Sequence, residues 1–252
     1  MTKPIEAAPL APNIRERIIV ALDVETADES REISRELSGQ VGAFKIGLQL
    51  FTTAGPGLVR EFTEAGEKVF LDLKFHDIPN TVAKASVEAA RLGVWMFNVH
   101  ASGGREMMVR TSAEVAEICE KESIQKPLVI AVTVLTSSNA ETLEEVGIVI
   151  PVVTQVENLA RMAAECGLDG VVASPHEVSA VRLAVTSPDF LVVTPGIRPI
   201  SATNDDQKRV TTIRQALANG SDYVVIGRPI TQAKDRLQAV ESLVREAMSN
   251  HK

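Results

Sequence analysis

Two cysteines among 252 residues, Cys119 and Cys166, are too few for a disulfide framework. With no third ligand at useful spacing they do not suggest a metal site either. Both fall in stretches of helical periodicity, 115–120 and 159–166, and read as reduced packing residues of a cytoplasmic protein. Positive charge is also short: 26 Lys and Arg against 33 Asp and Glu leave a net charge of −7. That argues against broad binding to nucleic acid or to an anionic membrane. A phosphorylated small molecule could still be held where a few cations are concentrated. No apolar run approaches the roughly 20 residues of a membrane span. Residues 1–15 are rich in Pro and Ala but have no long apolar run behind a basic start, so they read as a loose tail and not a signal peptide. No Pro/Ser-rich linker divides the remainder of the chain, and 16–252 reads as one domain.

What is present is a repeat of two textures. Short, mostly β-branched apolar runs lie at 18–22, 43–46, 69–73, 96–100, 128–134, 170–173, 191–193 and 223–226. Between and after them come amphipathic stretches at 27–37, 57–65, 81–92, 105–120, 155–166, 177–185, 212–218 and 232–248. Their apolar positions recur at helical spacing, as in Val156, Leu159, Ala160 and Ala163. Gly66, Gly93, Gly167 and Gly220 sit where helices should stop before the next strand. Eight strands alternating with helices predict a single-domain α/β fold, the (β/α)8 TIM barrel. A doubly wound open sheet would normally carry fewer strands and a Gly-rich phosphate loop after the first. Here Leu22-Asp23-Val24 follows it, without a GxGxxG pattern.

In a parallel barrel the chemistry sits at the C-terminal strand ends. Polar residues at those ends are Asp23, Lys45, Asp72, Lys74, His100, Thr136, Arg198 and Arg228. The densest segment follows strand three. Asp72 and Lys74 are two residues apart, so on a regular strand both face the mouth while Leu71 and Leu73 face the helices. The bland reading is a structural ion-pair network, which also perturbs titration. A buried ion pair is a poor source of stability, however, and its placement at the functional end favours catalysis. His76 and His100 lack a companion ligand and read as hydrogen-bonded structural histidines. Near the end, Thr194-Pro195-Gly196-Ile197-Arg198 and Ile226-Gly227-Arg228 each place Gly and Arg after a strand. Barrels often bind phosphate after strands seven and eight, where glycine admits the backbone and Arg supplies a forked donor. No Ser or Cys nucleophile with an adjacent base is evident, nor a metal cluster. The long polar segment 201–209 between these strands suggests a functional loop.

From 18 to 232 the chain resembles the orotidine 5′-phosphate decarboxylase family in its bacterial branch. The resemblance is carried by Ala21-Leu22-Asp23, Phe44-Lys45-Ile46-Gly47, Asp72-Leu73-Lys74-Phe75-His76-Asp77-Ile78-Pro79-Asn80-Thr81, Asn98-Val99-His100-Ala101-Ser102-Gly103-Gly104, Val132-Thr133-Val134-Leu135-Thr136-Ser137, Thr194-Pro195-Gly196-Ile197-Arg198-Pro199 and Ile226-Gly227-Arg228-Pro229-Ile230-Thr231. It implies a carboxy-lyase that converts orotidine 5′-phosphate to UMP in de novo pyrimidine biosynthesis, with no cofactor and no metal. It further implies that Lys74 stabilises charge at C6 and protonates it, while Asp72 sits beside the departing carboxylate. Lys45 and Asp77 would complete the charge array, with Asp77 and Thr81 reaching the partner subunit's site in a homodimer. Asp23 would bind ribose, Thr136 and Ser137 the pyrimidine edge, and Arg198, Gly227 and Arg228 the phosphate. Gln207 would bridge phosphate and base. Two other readings stay open: a metal-dependent sugar-phosphate decarboxylase or aldolase of the same superfamily, and a non-catalytic nucleotide-binding barrel.

Overall fold

The computed structural model describes residues 13–199 and 211–249. Eight parallel strands close on one another in sequence order. They are β1 (Ile18–Ala21), β2 (Ala43–Gly47), β3 (Val69–Phe75), β4 (Met96–His100), β5 (Leu128–Val132), β6 (Gly170–Val172), β7 (Leu191–Pro195) and β8 (Tyr223–Ile226). The last strand returns to the first, with Ile19 opposite Val225. This is the (β/α)8 barrel that the strand count predicts.

Helices α1 (Ala27–Leu37), α2 (Leu48–Glu64), α3 (Pro79–Arg91), α4 (Gly104–Glu122), α5 (Ala140–Glu145), α6 (Val152–Glu165), α7 (Val178–Ala184), α8 (Ile213–Ala218), α9 (Arg228–Thr231) and α10 (Arg236–Met248) follow or flank the strands. Side chains sort by alternation. Ile18, Val20 and Leu22 join Ile33, Leu37 and the other helix-facing residues in the outer core. Ile19, Ala21, Phe70, Met96, Ile130, Val193 and Val225 fill the interior. Burying one such Leu, Ile or Phe fully is worth about 1.5–3 kcal/mol, so these two layers hold the barrel together. The strand ends opposite the site are closed by Trp95 and Tyr223, whose rings meet edge-on at 5.1 Å. Arg182 of α7 seals that end further, donating to the carbonyls of Phe190 and Gly220 and pairing with Asp222. Cys119 and Cys166 are buried free thiols, and burial pushes both above the ordinary thiol range.

Three differences from the sequence pattern have local causes. Helix α2 begins at Leu48, not near 57, because Gly55 (φ 69°) and Pro56 break it in the middle and make its first half look like a loop. Helix α5 is only six residues long and buries Leu143 alone, too little for a visible period; Asn139 caps it by accepting from Thr142 N at 2.9 Å. The third lies in the site. Between Leu71 and Phe75 the β3–β4 register slips, from Leu71↔Phe97 to Phe75↔Val99, so β3 carries extra residues there.

Candidate active site at the barrel mouth

The slipped register is where the charged residues sit. Asp72 still follows the alternation, pointing inward as Phe70 does, and is 9% exposed. Lys74 does not: its φ is +51°, a left-handed conformation that among the described residues only one other non-glycine, Ser123, adopts with it. Simple strand alternation therefore fails at Lys74, yet its ammonium still reaches Asp72, with Nζ–Oδ1 at 2.6 Å. Lys45, 7% exposed on β2, approaches the other oxygen, Oδ2, at 3.3 Å. Lys45 Nζ also lies 3.0 Å from Asp23 Oδ1, just past β1. The result is a line of alternating charge, Asp23, Lys45, Asp72, Lys74, across three neighbouring strands. Burial strengthens the Lys45–Asp72 attraction most, since both side chains are shielded from water, whereas Asp23 is exposed and its contact with Lys45 is partly screened.

Sequence reasoning assigned no role to Asn98 of β4, which is 1% exposed. Its Nδ2 donates to Asp72 Oδ1 at 2.7 Å, and its Oδ1 accepts from Lys74 N at 2.8 Å. A lone Asn inside the apolar run Met96-Phe97-Asn98-Val99 was the available signal, since an amide is buried only where it is hydrogen-bonded. Gly47 also went unassigned. A Cβ there would lie 3.1 Å from Lys45 Nζ and 3.5 Å from Asp23 Oδ1, so its missing side chain leaves room for that contact.

The other sequence-derived candidates are more dispersed. Asp77 and Thr81 are exposed at the start of α3; Asp77 Oδ1 accepts from its neighbour Ile78 N at 2.6 Å and makes no ion pair with Lys74 of its own chain among the described residues. Thr136 and Ser137 are exposed in the turn after β5. Thr136 borders a cleft of about 760 Å³ with Ser174, His176, Pro195, Gly196 and Thr211, on the same end of the barrel. Arg198 follows β7, its N–H donating to Thr211 O at 3.3 Å. Gly227 follows β8, where an added Cβ would lie 3.5 Å from the Ala21 Cβ, and Arg228 is exposed at the start of α9. Gln207 and the segment 201–209 lie outside the described residues. The hydrogen bonds that the sequence reading expects of His76 and His100 do not occur among the described residues. The two rings lie 5.4 Å apart. Burial, with His76 and Lys74 nearby, holds the His100 imidazole below its ordinary range. Among the described residues no group of three His, Cys, Asp or Glu could hold a metal ion.

Fold and site together define a (β/α)8 barrel with a buried charge array at its C-terminal mouth. The chain belongs to the orotidine 5′-phosphate decarboxylase / HUMPS family, whose model matches residues 16–243. It is 52% identical over 232 residues to the orotidine 5′-phosphate decarboxylase of Syntrophotalea carbinolica, across 92% of this chain and 95% of that one. With the orotidine 5′-phosphate decarboxylase of Geobacter sulfurreducens it shares 52% identity over 237 residues, 93% of this chain and 97% of that one. The crystal structure of orotidine 5′-phosphate decarboxylase from Lactobacillus acidophilus superimposes with a TM-score of 0.79 at 37% identity, covering 92% of this chain and 99% of that one.

Proposed function

We propose that the chain decarboxylates orotidine 5′-phosphate to UMP, in the cytoplasm and without a cofactor, with Lys74 as the proton donor. Decarboxylation in pyrimidine biosynthesis is supported by the family match and by half-identical relatives, matched over nearly their full length, that are named orotidine 5′-phosphate decarboxylase. The roles rest on one observation: Asp72 is buried and clasped between two ammonium groups, Lys45 at 3.3 Å and Lys74 at 2.6 Å. Losing CO2 breaks the C6–carboxyl bond and leaves its electron pair in the plane of the ring, where the π system cannot spread it. A preplaced cation in a water-poor cavity can stabilise that charge. Lys74 then gives a proton to C6, producing UMP, and regains one from solvent. Asp72 beside the substrate carboxylate favours its departure. Enzymes lower barriers by about 8–23 kcal/mol, and a carbanion without an electron sink requires the upper part of that range.

Asp23 would bind ribose hydroxyls, Thr136 and Ser137 the pyrimidine edge, and Arg198, Gly227 and Arg228 the phosphate, with Gln207 bridging phosphate and base. Asp77 and Thr81 would serve the partner's site in a homodimer. Their exposure supports this, as does Ile78, a large apolar side chain left 65% exposed beside Asp77. The metal-dependent sugar-phosphate alternative is disfavoured by the same carboxylate: Oδ1 already faces Lys74 and the Asn98 amide, and Oδ2 faces Lys45, so a divalent cation would meet two positive charges. A non-catalytic nucleotide binder would need no such array.

The test is CO2 release from orotidine 5′-phosphate with and without EDTA. Full activity in chelator is expected, and loss on chelation would support the metal-dependent reading. Lys74→Ala should fold and bind UMP yet lose nearly all turnover. Retention of a tenth of wild-type turnover would remove Lys74 from its role.

A further inference from the structure

Strand β3 gains its extra residues opposite Asn98, and the backbone turns left-handed at Lys74 within that slip. A bulge strips the ladder of its regular partners, so the Lys74 N–H needs another acceptor. Asn98 Oδ1 supplies it at 2.8 Å. The same carboxamide donates through Nδ2 to Asp72 Oδ1 at 2.7 Å, the oxygen that also meets Lys74 Nζ at 2.6 Å. The orientation of the amide is forced by chemistry: a backbone N–H requires an acceptor and a carboxylate requires a donor, so only one placement of oxygen and nitrogen satisfies both. Asn98 is 1% exposed, and water cannot take over either bond.

We infer that Asn98 is a positioning residue for decarboxylation, which locks the Lys74 backbone and the Asp72 carboxylate into one rigid unit and so aims the proton donor. The inference rests on the role proposed above for Lys74. Asn98 touches no reacting atom in this arrangement. It acts through the two residues that do, from the strand across the slip. A helix-facing core residue would contribute stability alone; this one determines where an ammonium group points. Misplacement of a reacting group by about 1 Å can cost a hundredfold in rate. A side chain that sets both the backbone of the donor and the angle of its counter-ion therefore affects turnover more than binding.

Three variants test this. Asn98→Ala should lower kcat by roughly a hundredfold while KM and the affinity for UMP move by less than about threefold, because the loss falls on the transition state. Asn98→Asp keeps the shape. When protonated, its new carboxyl carries one donor and one acceptor, as the carboxamide does; when ionised it has no donor for Asp72. Among the described residues, Lys45 on β2 and Lys74 on β3 meet the same Asp72 carboxylate that Asn98 bonds, and His100 lies two residues farther along β4, within the electrostatic reach of Lys74 and Asp72. Its kcat, taken as a ratio to wild type from about pH 5 to about pH 8, should approach one where the new carboxyl is protonated and collapse where it ionises. Asn98→Ala should show no such recovery.

A wild-type kcat in Asn98→Ala would overturn the inference. So would an Asn98→Asp ratio that stays low and flat with pH. If Asn98→Ala fails to fold, as thermal unfolding would reveal, the pH series of the isosteric Asn98→Asp decides alone. Lys74→Ala runs beside them: an active Lys74→Ala would defeat the role assigned to Lys74. An inactive Lys74→Ala with fully active Asn98 variants would defeat only the positioning role of Asn98.

Discussion

Asp72 accepts two hydrogen bonds at Oδ1, from Lys74 and Asn98, and pairs with Lys45 through Oδ2, which leaves its carboxylate little freedom, and the residues around it share that constraint. Gly47 is an example. Its backbone (φ −95°) is open to any residue, so Gly47→Ala carries no conformational strain there. Its new Cβ would press on Lys45 Nζ at 3.1 Å, and a cation already tied to Asp23 and Asp72 can yield only by lengthening one of those contacts. We expect Gly47→Ala to fold with near-normal stability and to lose about tenfold in kcat, equivalent to about 1.4 kcal/mol of barrier. Steady-state kinetics with a urea melt checks this, and unchanged turnover would mean the array tolerates displacement. Arg228 lies beyond the array, exposed at the end of β8. If it grips phosphate, Arg228→Ala should cost several kcal/mol of transition-state binding for the full substrate, on the order of 3 kcal/mol, and much less for the nucleoside lacking phosphate. Equal losses for both substrates would separate Arg228 from the phosphate.

At the scale of elements, the β3–β4 pair carries two local features: the register slip between Leu71 and Phe75, and the tilted ring pair of His76 and His100 just beyond it. The histidines make a pH prediction. The unfolded imidazole of residue 100 takes up a proton near 6.5, whereas burial opposes that proton in the folded chain. Below that pH the unfolded state binds more protons. Stability is therefore full above about 6.5 and falls as pH drops through the lowered folded value. His100→Gln removes the titrating group, so its urea midpoint should decline less between about pH 8 and about pH 5 than that of wild type. Equal declines would place the acid sensitivity in other groups. Element boundaries were legible only approximately: α6 begins at Val152 and α10 at Arg236, three residues before and four after the starts that periodicity suggests. Helix α1 matches its sequence range, whereas the first half of α2 was hidden by Gly55 and Pro56, and α5 by its brevity.

At the scale of the whole molecule, the exposed Asp77, Ile78 and Thr81 leave the mouth facing outward on one side. A two-fold partner packed against that side would present Asp77 to its neighbour's Lys74, and a closed dimer would do so twice. Mixing inactive Lys74→Ala with inactive Asp77→Ala and letting subunits exchange should restore activity, since one site of each heterodimer then has both residues intact. Heterodimers shown to be present but inactive would return Asp77 to its own subunit, as a carboxylate that merely caps Ile78 N–H.

Periodicity alone determined the eight-stranded barrel, because strand and helix repeats are local properties and eight of each close in only a few ways. It also marked Lys45, Asp72 and Lys74 as mouth residues, since charge at a strand's C-terminal end is visible in the linear chain. What the tertiary structure decided was how those charges meet. The left-handed turn at Lys74, the slip that requires it, and the Asn98 amide that satisfies both Lys74 N–H and Asp72 depend on β4 lying against β3. Asn98 and Lys74 are 24 residues apart in the chain and one hydrogen bond apart in space. No local pattern can report a partner of that kind, because the unsatisfied N–H that calls for it exists only once the strands have paired.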